Sequence, residues 1–285
     1  MYRTARELCD YLRTLGGDAV DVNTTVDKVI IGDPDTPIQK IGTCWMPYLD
    51  VLKEAYAAGV NVMVCHEPTF YAHHDLEEEL TNREFAKYYR WRGLTTGMEA
   101  YAAMVEEKKQ WILEHGMVII RCHDALDAAP EFGIPFALGK ALGFGSEDLL
   151  RSKPYLNIYR MPGTTALMAA KKLAKKLRAC GQDGVQFYGD PDRAVSSVAV
   201  GTGCYCDPIE VMELGADLYI AIDDAVQTWV QTAFAHDSGQ PMIVINHGGS
   251  EEPGVQLLSE HLEKVMPYPV QHFFCGCGYR WISAE

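Results

Sequence analysis

The sequence predicts an α/β fold made of two related lobes that arise from an internal duplication and face a common cleft. Three observations predict it. Short apolar runs, closed by glycine, proline or polar residues, alternate with longer segments that carry apolar residues on one helical face. The turn Gly-Asp-Pro-Asp occurs at 32–35 and again at 189–192. After each copy come an apolar strand, a helix and a glycine-led strand, GVNVMVCHE at 59–67 and GADLYIAID at 215–223. This alignment sets Glu67 opposite Asp223. A further glycine–strand–histidine unit follows in each half, GMVIIRCHD at 116–124 and GQPMIVINHGG at 239–249, matching His123 with His247.

The elements follow in order. Residues 3–15 read as a helix with Leu8, Tyr11, Leu12 and Leu15 on one face, ended by Gly16-Gly17. Strands near 28–31 and 38–44 flank the first Gly-Asp-Pro-Asp turn. A helix near 48–58 leads to the strand Val62–Cys65, which stops at His66-Glu67-Pro68 because proline cannot continue it. Helices are expected over 76–92 and 98–115, the second with Tyr101, Val105, Ile112 and Leu113 for packing. The strand 117–121 ends in Cys122-His123-Asp124, and a loop with Asp127 and Pro130 leads to a helix near 135–143. The second half reads as a strand near 154–160, a helix 164–179, and strands near 184–188 and 195–201. A helix 207–214, a strand 217–222, a helix 224–235 and a strand 241–246 follow, the last ending at His247. Ser250 is placed to cap a helix running to about Val265, before a final strand near 268–275. The alternation predicts largely parallel pairing. We expect lobes over 1–128 and 129–285, with scope for exchange of terminal elements.

The bulk numbers exclude some roles. Of 285 residues 48% are apolar, enough for a substantial core. A formal charge of −14 opposes nucleic acid and anionic membrane, and no apolar run approaches a membrane span. Nine cysteines, an odd number, behind the start MYRTARELCDYLR read as free thiols in a reduced, cytoplasmic protein.

The chemistry gathers at strand ends, where α/β proteins bind ligands. The candidate metal ligands are His66, Glu67, Asp127, His247 and Glu251. His247 and Glu251 stand four apart where the chain enters a helix, and Gly248-Gly249 allow close backbone approach. Two imidazoles and three carboxylates suit zinc, iron(II), manganese or cobalt better than calcium. One divalent ion leaves this set net anionic. Two leave a single positive charge that a bridging hydroxide neutralises, so the set favours a two-metal site in the cleft. Each member also has a bland reading. His66 alone is a satisfied strand-end histidine, Glu251 and Glu252 alone are first-turn carboxylates on a helix dipole, and Asp127 alone is a loop cap. His123, Asp124, His73 and His74 read as neighbours of the site or as surface. Cys204-Tyr-Cys206 and Cys275-Gly-Cys277 are more tightly spaced than structural zinc pairs. The lysines of KKLAKKLR at 171–178 are the solvated side of a helix. The Gly-Asp-Pro-Asp turns lack the glycine spacing of a nucleotide loop.

On these residues the chain resembles the Nif-three-like family, whose members are also called GTP cyclohydrolase type 2 homologues or dinuclear metal centre hexameric proteins. INHGGSEEPGVQLLSEHL, with His247 and Glu251, is similar to the family's Gly-His-…-Glu-Glu ligand motif. CHDALDAAP is similar to its His-Thr-Asn-Leu-Asp-Ala-Ala, which brings Asp127 as ligand and leaves His123 beside the site. The family's His-His-Pro stands here as His66-Glu67-Pro68, and its Thr-Gly-Asp/Glu as Ala221-Ile222-Asp223. The resemblance implies two α/β lobes, a two-metal cleft and a ring-shaped homohexamer.

Two functions follow. One is a metal-dependent hydrolase of cyclohydrolase or phosphoesterase type. It would act on a small nucleotide-like or heterocyclic substrate through a metal-bound hydroxide, with His123 shuttling protons. The other is a metal carrier or insertion protein without turnover. A nucleic-acid clamp is suggested only by the implied ring and is opposed by the charge.

Overall fold

A computed structural model describes residues 2–71, 98–153, 155–201, 203 and 208–282. The expected helix over 76–92, together with His73, His74, Cys204 and Cys206, lies outside these residues.

The chain runs through α1 (Ala5–Arg13), β1 (Lys28–Ile31), β2 (Ile41–Cys44), α2 (Leu49–Ala57), β3 (Val62–Cys65), α3 (Met98–Glu114) and β4 (Val118–Arg121). Then come α4 (Asp124–Ala128), α5 (Ile134–Ala141), β5 (Leu149–Lys153), β6 (Leu156–Thr165), α6 (Ala166–Leu177) and β7 (Gln186–Tyr188). The remainder is β8 (Ala194–Gly201), α7 (Pro208–Glu213), β9 (Leu218–Ile222), α8 (Ala233–Ser238), β10 (Met242–Ile245), α9 (His247–Val265) and β11 (Val270–Phe273).

Two compact units result, residues 1–126 with 258–274 and residues 127–257 with 275–285. The first division falls inside α4 and the second inside α9.

Unit 1 holds a five-stranded sheet in the order β1-β4-β3-β2-β11. Only β1 is antiparallel. β2, β3 and β4 are buried at every position, which is why β3 and the first three residues of β4 read as apolar runs rather than alternating ones. α1 starts at a capping box, Thr4 with Glu7, and buries Ala5, Leu8, Cys9 and Leu12.

Unit 2 holds a six-stranded sheet in the order β5-β6-β8-β9-β10-β7. Alternate residues feed its two faces. Val198, Val200, Ile220, Ile243 and Ile245 pack with Leu173 and Leu177 of α6, while Ala199, Tyr219, Ala221 and Val244 pack with Val211 and Ala235. Only β8-β9-β10 are parallel here, so the expectation of largely parallel pairing fails in this unit.

The order β1-β4-β3-β2 in unit 1 and β7-β10-β9-β8 in unit 2 is the same, strand for strand and sense for sense. The two Gly-Asp-Pro-Asp turns leave corresponding edge strands. In each the second aspartate amide donates to the first aspartate's Oδ1 at 2.9 Å (Asp35 to Asp33, Asp192 to Asp190). In each, a proline carbonyl accepts an amide from a helix start, Arg6 to Pro34 at 2.7 Å and Leu167 to Pro191 at 3.0 Å.

Several expectations need correction. The loop expected around Asp127 contains the helix α4. The helix expected over 224–235 is a tight turn at Asp223–Ala225, a wide helical turn at Thr228–Thr232 and the short α8. Ser250 is not a cap. It lies inside α9, which starts at His247, and its hydroxyl donates to the His247 carbonyl at 2.6 Å. Of the residues offered for packing on α3, Val105 and Ile112 are buried and Leu113 is exposed.

Candidate metal centre

In unit 1 the site begins where β3 stops. The amides of His66 and Glu67 donate to Trp45 O at 3.2 and 2.9 Å, turning the chain out of the sheet before Pro68. Both side chains are buried, at 1% and 4% exposure. His66 Nδ1 lies 3.1 Å from the Cys122 carbonyl oxygen. A carbonyl only accepts, so Nδ1 carries the proton and Nε2 presents a lone pair.

His123 enters from the end of β4, and its ring stacks on His66 at 4.6 Å between centroids, 10° from parallel. Asp27 sets this junction. Its carboxylate accepts the amides of His123 (2.5 Å), Asp124 (3.2 Å) and Ala125 (2.8 Å), capping α4. The buried Arg121 fixes the chain beside Asp27 by donating twice to Val26 O, at 2.8 and 2.6 Å.

Asp124 Oδ1 lies 3.0 Å from His123 Nδ1, and Oδ2 accepts the Thr25 hydroxyl (2.9 Å) and Val26 amide (3.1 Å). Burial opposes ionisation of Asp124. The hydrogen bonds from His123, Thr25 and Val26 outweigh it and hold the carboxyl well below its usual range. Asp127 follows one turn along α4, the helix that crosses the division between units. His66, His123 and Asp127 each offer a ligand atom within 4.8 Å of the other two, a group able to hold a metal ion.

In unit 2 three strand ends supply the parts. Beyond β9, Asp223 accepts the His247 amide and the Asn246 side-chain amide, each at 3.0 Å. Its neighbour Asp224 places Oδ2 2.7 Å from His247 Nδ1. The hydrogen bond from His247 holds the Asp224 carboxyl below its ordinary value against the opposing effect of burial. His247 follows β10 and begins α9. Its Nε2 lies 3.1 Å from Glu251 Oε1, four residues on. Beyond β8, a Cβ built on Gly203 would stand 3.6 Å from Glu251 Oε1 and 3.7 Å from His247 Nε2. Glu251 and Glu252 are both buried, and Glu252 Oε1 accepts the Cys275 amide at 3.1 Å. Glu252 therefore ties the start of α9 to the C-terminal turn while Glu251 faces the histidine.

The structure thus gathers His66, Glu67 and His123 in unit 1, with Asp127 on the bridging helix, and His247 with Glu251 in unit 2. Sequence reasoning aligned Asp223 with Glu67 and read Asp124 as a neighbour of the site, but gave Asp223 no positioning role and missed Asp224 and Asp27. Asp223 and Asp224 follow an apolar run as His66 does, so the strand-end rule could have found them. Asp27 carried no local signal. Cys277 donates weakly to Cys180 O at 3.8 Å, and none of the seven described cysteines forms a disulfide.

An α/β protein with imidazoles and buried carboxylates at strand ends is the class that fold and site define. Residues 91–276 match the model of the Duf34/NIF3 (NGG1p interacting factor 3) family, and the chain belongs to that family. It is 24% identical over 264 residues to a Chlamydia pneumoniae protein called GTP cyclohydrolase 1 type 2 homolog, covering 92% of this chain and 94% of the relative. Among solved structures it resembles a Bacillus cereus protein related to NIF3, with TM-score 0.73, 14% identity and coverage of 99% and 100% of the two chains. A hypothetical protein of Staphylococcus aureus gives TM-score 0.73 at 16% identity, with the same coverage. Among the described residues no helix is long and apolar enough to cross a membrane.

Proposed function

We propose that this protein is a metal-dependent hydrolase of a small nucleotide-like or heterocyclic substrate, with two divalent ions as its cofactors and His66, Glu67, Asp127, His247 and Glu251 as their ligands. The observation that carries the reading is the matched pinning of two imidazoles. His66 Nδ1 is tied to the Cys122 carbonyl and His247 Nδ1 to Asp224, so each ring is fixed with Nε2 as its electron-pair donor. The donor set fits the group, since imidazole nitrogens with carboxylate oxygens suit zinc, iron(II) or manganese. Burial of Glu67 and Glu251 supports it further, because carboxylates in such surroundings gain most from a facing cation.

Bound ions would supply Lewis acidity and lower the pKa of coordinated water. The chain supplies the rest. His123, held through Nδ1 by Asp124, presents Nε2 to take up and return a proton. Asp27 and Asp223 fix the backbone from which the histidines project. A homohexamer in the cytoplasm is part of this reading, and the charge of −14 speaks against nucleic acid as substrate.

Metal carriage without turnover is the second reading. It is favoured by the Asp224 side chain, 60% exposed, which leaves the anchor of His247 open to solvent and suits exchange. Elemental analysis of protein purified without added metal tests both, with His247→Ala as control. Bound metal that falls in the variant is expected, and equal or absent metal in both would refute the site. A panel of phosphoester, amide and cyclohydrolase substrates then separates turnover from transfer to an apo-acceptor.

A further inference from the structure

We propose that Lys108 is a positioning residue for the candidate ligand Glu67: from α3 it holds the Thr69 carbonyl and so fixes the turn that presents the carboxylate. The inference rests on the metal reading above and deepens it. The turn is anchored where it leaves β3, since the His66 and Glu67 amides donate to Trp45 O at 3.2 and 2.9 Å. Lys108 anchors its far side, with Nζ donating to Thr69 O at 2.6 Å. Between Glu67 and Thr69 stands only Pro68, whose ring fixes its own φ and restricts the backbone of the residue before it. Thr69 and Phe70 are buried, and Lys108 Nζ lies 5.9 Å from the centre of the Phe70 ring. The Cys65 thiol and the Thr69 hydroxyl, 3.8 Å apart, tie the same turn back to the strand end. Held on both sides, the Glu67 backbone keeps little freedom, which is what a preorganised ligand requires.

The choice of residue is the second ground. Val105, Lys108 and Ile112 share the buried face of α3, and Lys108 is 7% exposed. Among the described residues no carboxylate pairs with it. An apolar side chain at this place would pack against Phe70 without the cost of burying an amine. What an apolar side chain lacks is a donor long enough to reach from the helix to the turn. The cost of burial therefore falls on the one contact that an amine alone can make here, and that contact ends two residues from Glu67.

The test titrates full-length protein with cobalt(II), whose visible bands report its ligands, under conditions where the variants compared are folded. Lys108→Met matches the length of the stem and removes the donor. It is expected to lose cobalt(II) affinity by about tenfold or more, the scale of losing a group that orients a metal ligand, and to change the visible bands. In a Glu67→Ala background it is expected to cost no further affinity, because the carboxylate it positions is gone. Val105→Ala thins the same face of α3 without touching Thr69, and is expected to lower stability while leaving cobalt(II) affinity and bands unchanged. Lys108→Gln, a neutral donor on a shorter stem, is expected to fall between the parent and Lys108→Met. Unchanged affinity in folded Lys108→Met, an equal loss in the Glu67→Ala background, or a matching loss in Val105→Ala would overturn the proposal. Failure of both Lys108 variants to fold would also overturn it, by making the lysine a support of the whole unit. Parent protein that binds no cobalt(II), or binds it equally after Glu67→Ala and His66→Ala, would instead refute the underlying metal reading.

Discussion

His247 Nδ1 and Asp224 Oδ2 lie 2.7 Å apart, and this contact decides which nitrogen of the ring can meet an ion. Without the carboxylate the ring is free to rotate and to change tautomer. Asp224→Ala is therefore expected to weaken metal binding by about 10–100-fold, the usual effect of losing a partner behind a metal-bound histidine. Asp224→Asn retains a neutral acceptor and should recover part of the loss. Chelator competition measures the affinity. The urea midpoint should hardly change, because the Asp224 side chain is largely exposed.

Asp27 joins the segment before β1 to the start of α4. It accepts three amides and is 2% exposed. Asp27→Ala removes a helix cap and leaves part-buried amides without their acceptor, for an expected loss of about 2–4 kcal/mol in urea unfolding. Asp27→Asn keeps an acceptor and should cost about half as much. Loss below 0.5 kcal/mol in the alanine variant would mean that water replaces the cap.

Lys108 gives the protein a distinctive alkaline stability profile. Its amine donates to Thr69 O at 2.6 Å, and burial pushes its pKa down from 10.5 to about 8. Above pH 8 the folded chain has lost a proton that the unfolded chain still binds, so the contribution of Lys108 to stability rises with pH from there toward 10.5. Burial also pushes the Cys9, Cys65 and Cys180 thiols up from 9.0 to about 11. As pH approaches and passes 9 the unfolded chain loses protons that the folded thiols keep, and their contribution falls. Between pH 8 and 9 the thiols offset most of the gain of about 1 kcal/mol from Lys108, so stability should be nearly level there and decline above pH 9. Lys108→Met should remove the offset, so that the decline begins near pH 8, as urea unfolding across that range will show.

The strands that bear the candidate ligands were legible because burial on both faces leaves only apolar residues, and the first polar residue marks the end. β3 stopping at His66 and β10 stopping before His247 are both read this way. α4 was not legible, since its cap lies about a hundred residues upstream at Asp27 and the local sequence offers no substitute. β5 was missed because all five residues are exposed, which removes any alternation. Its hairpin to β6 turns at Tyr155 with φ +65°, where a sequence normally signals with glycine or asparagine. The helix expected over 224–235 failed for a related reason. Asp223–Ala225 forms a single tight helical turn, and the Asp223 and Asp224 side chains bond to Asn246 and His247, partners the local periodicity does not contain.

Gly32 and Gly189 open the two Gly-Asp-Pro-Asp turns, and their surroundings match. Each has left-handed backbone, φ +94° and +88°. A methyl group on Gly32 would overlap the Met117 carbonyl oxygen just before β4, and one on Gly189 the Gln240 carbonyl oxygen just before β10. Backbone cannot move aside as a side chain can, so Gly32→Ala and Gly189→Ala should each cost about 2–4 kcal/mol through strain and overpacking together. Shared descent of the halves, which we infer from the common strand order and turn, requires the two losses to be alike. Urea unfolding of both variants measures them. A neutral Gly189→Ala beside a damaging Gly32→Ala would show that the second turn no longer carries the structural duty of the first, and would weaken the duplication that aligns His123 with His247.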